Sequence, residues 1–193
     1  MFATQKQLLK QIDMRTFRLF FIVFASALFL TSCLTVEKKE YKYELTGKNA
    51  GTLTIIYYNI ASTNDSDGVA HTDFTELTDT YLNGTKPEDE FPGATMVKKE
   101  LYEENGKLCA RIVLGFSDLK TAHLYQTDKK GAYMLHMSSF SENYESSNGT
   151  WGGEVMPVVF WDKKLKVLNV TTTVEKNIDN TLSLLDMYKA WKK

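Results

Sequence analysis

Polar and apolar residues alternate along much of the chain. From Lys39 onward, Tyr41, Tyr43 and Leu45 fall on one face while Lys42, Glu44 and Thr46 fall on the other, which is the period of a half-buried strand. A turn cluster at 47–51 leads into a second strand over 52–59, rich in Thr, Ile and Tyr, so the two read as a hairpin. Asp73 with Glu76 three residues later fits a capping box, and Phe74, Leu77 and Tyr81 follow at helical spacing until Asn83-Gly84 stops them. Two prolines make 86–93 an expected loop. Strands are expected at 95–103 and 107–116, joined by Asn105-Gly106, the strongest short hairpin signal. A short helix is expected at 117–125 with Ser117 as its N-cap, then strands at 133–138, 156–161 and 165–174. A last helix is expected at 180–191, with Leu184, Met187 and Trp191 on one stripe. This order predicts an α+β domain: a mainly antiparallel sheet built from hairpins, with about three helices packed on it.

The amino-terminal segment has a different pattern. Residues 19–30 form a twelve-residue run without a charge, preceded by Arg15 and Arg18. The run is too short for a spanning helix, which needs ~20 residues. A basic flank, a short apolar stretch and small residues form the layout of a secretory signal peptide. The run closes on Leu30-Thr31-Ser32-Cys33. This resembles the lipobox of bacterial lipoproteins at all four positions. The resemblance implies a lipidated Cys33, removal of residues 1–32, and an amino terminus that is usually acylated. Met14 is the better start, because Met14-Arg15-Thr16-Phe17-Arg18 is then an ordinary basic leader. The expected organisation is a signal peptide at 1–32, a short tether at 33–38 and one domain at 39–193.

Charge narrows the partners. The chain has 23 basic and 24 acidic residues; without Lys6, Lys10, Arg15, Arg18 and Asp13 it has 19 and 23. That balance disfavours nucleic acid and anionic headgroups. Membrane attachment would come through acyl chains on Cys33, and two or more chains hold a protein stably. The expected location is the cell envelope, anchored to the cell membrane or the outer membrane. Leu34 does not match the Asp that favours inner-membrane retention in enterobacterial lipoproteins, so the resemblance leans to the outer membrane.

The sequence offers little catalytic signal. His71, His123 and His136 lack ligand spacing, so no metal is expected. The run 63–68 has carboxylates like the start of a calcium loop, but Thr63 and Phe74 stand where its first and twelfth ligands belong. Ser117-Asp118-Leu119-Lys120 fits S-x-x-K without its companion motifs. No cofactor motif is present, and Cys109 reads as a buried, inert thiol. Residues 139–153 combine Ser, Gly and Asn with Phe140, Tyr144 and Trp151. This is either a recognition loop or a connection whose aromatics fold back over the sheet. The expected function is a membrane-anchored binding or structural domain. The alternatives are an envelope hydrolase with dispersed catalytic residues or a carrier of apolar ligands.

Overall fold

The computed structural model describes residues 33–193 apart from 65, 129, 138, 139 and 141. The expected signal segment and Leu30, Thr31 and Ser32 of the lipobox lie outside the described residues.

Most of the structure is antiparallel sheet, and three helices accompany it. β1 (Leu34–Leu45) and β2 (Gly51–Ser62) form the first hairpin, in register from Leu34 opposite Ser62 to Leu45 opposite Gly51. The second hairpin, β3 (Thr95–Glu104) and β4 (Lys107–Phe116), turns at Asn105 and Gly106. Both turn residues have positive φ, 51° and 72°, as the tight hairpin turn requires. β4 pairs with β2, and β1 pairs with β10 (Val167–Thr173), which carries β7 (Asn143–Ser147) on its other side. The short β11 (Leu182–Ser183) joins the end of β2. A smaller sheet has the order β5 (Leu124–Tyr125), β6 (Tyr133–His136), β9 (Val158–Trp161) and β8 (Thr150–Trp151).

Two apolar clusters divide the interior. In one, Tyr43, Leu53, Leu114 and Leu168 of the large sheet pack against Leu135, Val159 and Trp161 of the small one. In the other, Val36, Ile60 and Leu108 pack against helix α1 (Asp67–Glu76) and helix α3 (Leu185–Trp191), through Ala70, Phe74, Leu77, Leu184 and Tyr188. The Tyr188 hydroxyl donates to the Leu101 carbonyl at 2.9 Å and fixes α3 to β3. Among the described residues no helix is long and apolar enough to cross a membrane.

Several expected boundaries change. The segment expected as a tether at 33–38 is strand from Leu34 onward, because Val36 pairs with Ile60 and the Cys33 carbonyl accepts from Thr63 N–H at 2.7 Å. The charged run Glu37-Lys38-Lys39-Glu40 conceals this strand in the sequence. Asp73 is not a cap: α1 begins at Asp67, six residues earlier, and continues through a π-helical turn at Leu77–Leu82. The loop expected at 86–93 starts as helix α2 (Lys86–Glu90), with Pro87 in its first turn, where a missing N–H costs nothing. The helix expected at 117–125 is one 3₁₀ turn, Leu119–Ala122, and its N-cap is Asp118 rather than Ser117. Its carboxylate accepts from Lys120 N–H at 3.1 Å.

Candidate functional site

A groove opens on the large sheet between the two apolar clusters. β1 and β2 supply its floor by their two-residue period, with Lys39 opposite Tyr57 and Tyr41 opposite Ile55. Asn59 interrupts this alternation with φ 56°. Beyond it Val36 and Ile60 line the same groove as Lys39 and Tyr57. The Asn59 side chain is tied to Glu37, its amide donating to the carboxylate at 2.9 Å. A left-handed Asn therefore keeps the apolar surface continuous along two strands that would otherwise have turned it away.

Glu142, just before β7, forms the polar centre. Its carboxylate accepts from Lys39 Nζ at 2.6 Å, from the Tyr41 hydroxyl at 2.9 Å and from Thr172 Oγ1 at 2.6 Å. The Glu142 side chain is 5% exposed and that of Lys39 21%. A buried ion pair is tolerable only when such further donors satisfy it. Lys39 also lies 5.2 Å from the centre of the Tyr57 ring. Its ammonium has three hydrogens, so more than one bond is open to it.

The opposite wall comes from the end of α2 and from the 3₁₀ turn. His123 follows that turn in the left-handed region at φ 56°, where Nε2 sits 3.2 Å from the Glu90 carbonyl. The imidazole meets Phe91 and Phe140 edge-on, with centroids at 5.0 and 5.7 Å. Phe140 in turn contacts Tyr41 at 5.2 Å. The polar part of the groove has a volume of about 360 Å³. Past Lys39, Tyr57 and Glu90 it continues into an apolar part of about 200 Å³, lined by Leu34, Leu77, Tyr81 and Ile112 among others.

Burial pushes the Tyr41 phenol far above its ordinary range, and the Glu142 charge pushes it further. Burial does the same at Tyr57, helped by Glu90 and then Glu142. At Tyr43 burial acts first and Glu142 second. Tyr41 and Tyr57 line the groove, which offers their hydroxyls, one ion pair and apolar walls.

The residues singled out in the sequence are divided by the fold. Phe140 reaches the groove. Tyr144 and Trp151 do not line it; they stack on each other, centroids 4.3 Å apart and planes 2° off parallel, half-buried against the main core. Much of the expected 139–153 connection is strand, because β7 pairs with β10 and β8 with β9. Cys33 is partly exposed at the start of β1. Cys109 is buried, and burial raises its thiol pKa. His71 lies exposed on α1, and His136 ends β6 beside Tyr125. Asp67 of the calcium-like run opens α1. Among the described residues no three His, Cys, Asp or Glu side chains gather into a metal site.

Sequence reading missed Lys39, Tyr41, Tyr57, Thr172 and Glu142 as a set. Glu142 is 103 residues from Lys39, and nothing local distinguishes it from a solvated glutamate. Compared with protein-family models, curated proteins and solved structures, the chain matches none of them.

Proposed function

We propose that this chain is a membrane-anchored cell-envelope lipoprotein, held by lipid on Cys33, whose α+β domain binds a small amphipathic molecule. The groove supports the binding reading. An apolar channel joins a polar centre at which, among the described residues, the Lys39 ammonium donates only to Glu142. Since Glu90 and Glu142 both flank Lys39, a neutral hydrogen-bonding head group fits better than an anion. The carrier reading favours the same groove. Among the described residues, His123 faces a backbone carbonyl and aromatic rings, an arrangement that suits a groove wall.

Two measurements test this. The native protein should enter the detergent phase, and Cys33→Ala should abolish lipidation; unchanged mass and partitioning in that variant sink the anchor. For the groove, the neutral fluorophore N-phenyl-1-naphthylamine should bind, and a monoacylglycerol should displace it. Ala110→Phe, which fills the apolar part, should weaken binding by about tenfold or more, the cost of a blocked pocket. Equal affinity in the folded variant refutes the binding site.

A further inference from the structure

Asp73 is a carboxylate in the wrong surroundings for a helix interior. It sits on the buried face of α1 with Ala70 and Phe74, and it is 3% exposed. Among the described residues it makes no ion pair. Its Oδ1 accepts from the backbone nitrogen of Cys33 at 3.3 Å, and its Oδ2 is buried with no partner among the described residues. A buried carboxylate ordinarily holds several donors, and leaving one oxygen bare is costly. The missing element is a cation with more than one N–H, located where the Cys33 nitrogen already is.

We propose that Asp73 is the seat of a free α-ammonium on Cys33, created when the chain is cut before that residue. The proposal rests on the lipoprotein reading for the cut itself. In the uncut chain the Cys33 nitrogen is an amide with one hydrogen and no charge. Hydrolysis of the bond to residue 32 adds water across it: the carboxyl leaves with the leader, and the new amine takes up a proton. The ammonium then has three donors, enough for both Asp73 oxygens. Its position is already fixed, because the Cys33 carbonyl is held by Thr63 N–H at 2.7 Å in the β1–β2 ladder. Acylation of the nitrogen would restore the single amide hydrogen and leave Asp73 uncompensated again. The geometry therefore favours a mature terminus that keeps its amine, so that lipid attaches through the sulfur alone.

The test places an engineered protease site in the full chain so that cutting the folded protein leaves Cys33 first. Urea unfolding is then followed before and after the cut. Cutting should raise the folded-to-unfolded ratio by about tenfold or more, the scale of a charge pair shielded from water. Asp73→Asn should abolish the gain, and acylating the α-amine alone, with lysines left protonated, should reverse it in the unmutated chain. If Asp73→Asn does not fold, the acylation arm decides. An equal effect of the cut in both chains, or a gain that survives acylation, overturns the pairing. No lipid enters this experiment, so the anchor fails separately, by the Cys33→Ala result.

Discussion

The Lys39 ammonium and the Glu142 carboxylate lie 2.6 Å apart, beneath the aromatic wall of the groove. The pair draws β1 to the segment that enters β7, two strands separated in the sheet by β10. Removing Lys39 leaves Glu142 charged, buried and without its cation. Lys39→Ala should therefore cost about 3–5 kcal/mol, while replacing both residues with Met should cost much less. Urea unfolding of the two variants beside the unmutated chain checks this. Equal losses in the single and double replacements would mean that packing, not charge, holds the site.

The phenols around that pair set the alkaline limit of stability. Tyr41, Tyr43 and Tyr57 all have their pKa raised in the folded state, first by burial. Unfolded, they ionise near pH ~10. Their contribution is thus complete below ~10 and is lost as pH rises above it, because the unfolded chain releases protons that the folded one keeps. Ultraviolet titration should show a fraction of the tyrosines ionising only together with cooperative unfolding. A smooth, complete titration of the native protein near pH 10 is the opposing result.

Asn148 joins the two sheets through one side chain. Its Oδ1 accepts from Trp161 Nε1 at 2.8 Å and from Asn169 N–H at 2.7 Å, and its Nδ2 donates to the Val167 carbonyl at 2.9 Å. Trp161 is 1% exposed, so its indole has no water to turn to. Asn148→Ala should cost on the order of 1–3 kcal/mol for each polar group left bare. Asn148→Asp, which keeps the acceptor, should recover part of it in thermal unfolding.

These contacts explain which parts of the fold could be read in advance. The β3–β4 hairpin was legible because Asn105 and Gly106 state their backbone geometry in their residue types. β7 and β8 were not, because β7 is short and polar, β8 is two residues between glycines, and their strand character comes from β10 and β9. Asp73 misled for a physical reason: aspartate usually caps a helix, and nothing local reveals a buried one. The candidate site was the least legible part. Phe140 signalled it by composition, but Lys39, Tyr57 and Glu142 acquire their roles only when strands distant in sequence become neighbours.

Cys109 tests how firmly β4 is held in the sheet. It stands on β4 with 1% exposure, its Sγ 3.9 Å from the Lys107 carbonyl, and burial raises its pKa. A buried, protonated thiol is a poor nucleophile. In a Cys33→Ala background, native labelling by a disulfide reagent at pH 8 should be at least ~100-fold slower than in urea, following the population of opened molecules. Comparable rates would mean that β4 opens readily or that the thiol is accessible.

The Tyr144–Trp151 stack links β7 of the large sheet to β8 of the small one, and its stability effect decides what those aromatics do. Tyr144 is also held by its hydroxyl, 3.1 Å from Ser147 Oγ, and both rings pack against the main core. Two half-buried aromatics in parallel contact should be energetically coupled. Each replacement by Ala should cost about 1–3 kcal/mol, less than for a fully buried ring. The double replacement should fall short of the sum by about 0.5–1.5 kcal/mol, the energy of the stack itself. Under the alternative that the pair serves as a contact surface, unfolding midpoints would barely move and the two changes would show no coupling. A double-mutant cycle in urea separates the two cases. Phe140→Ala, measured beside it, should act differently: it opens the groove wall against Tyr41 and His123, so fluorophore binding should change more than stability does.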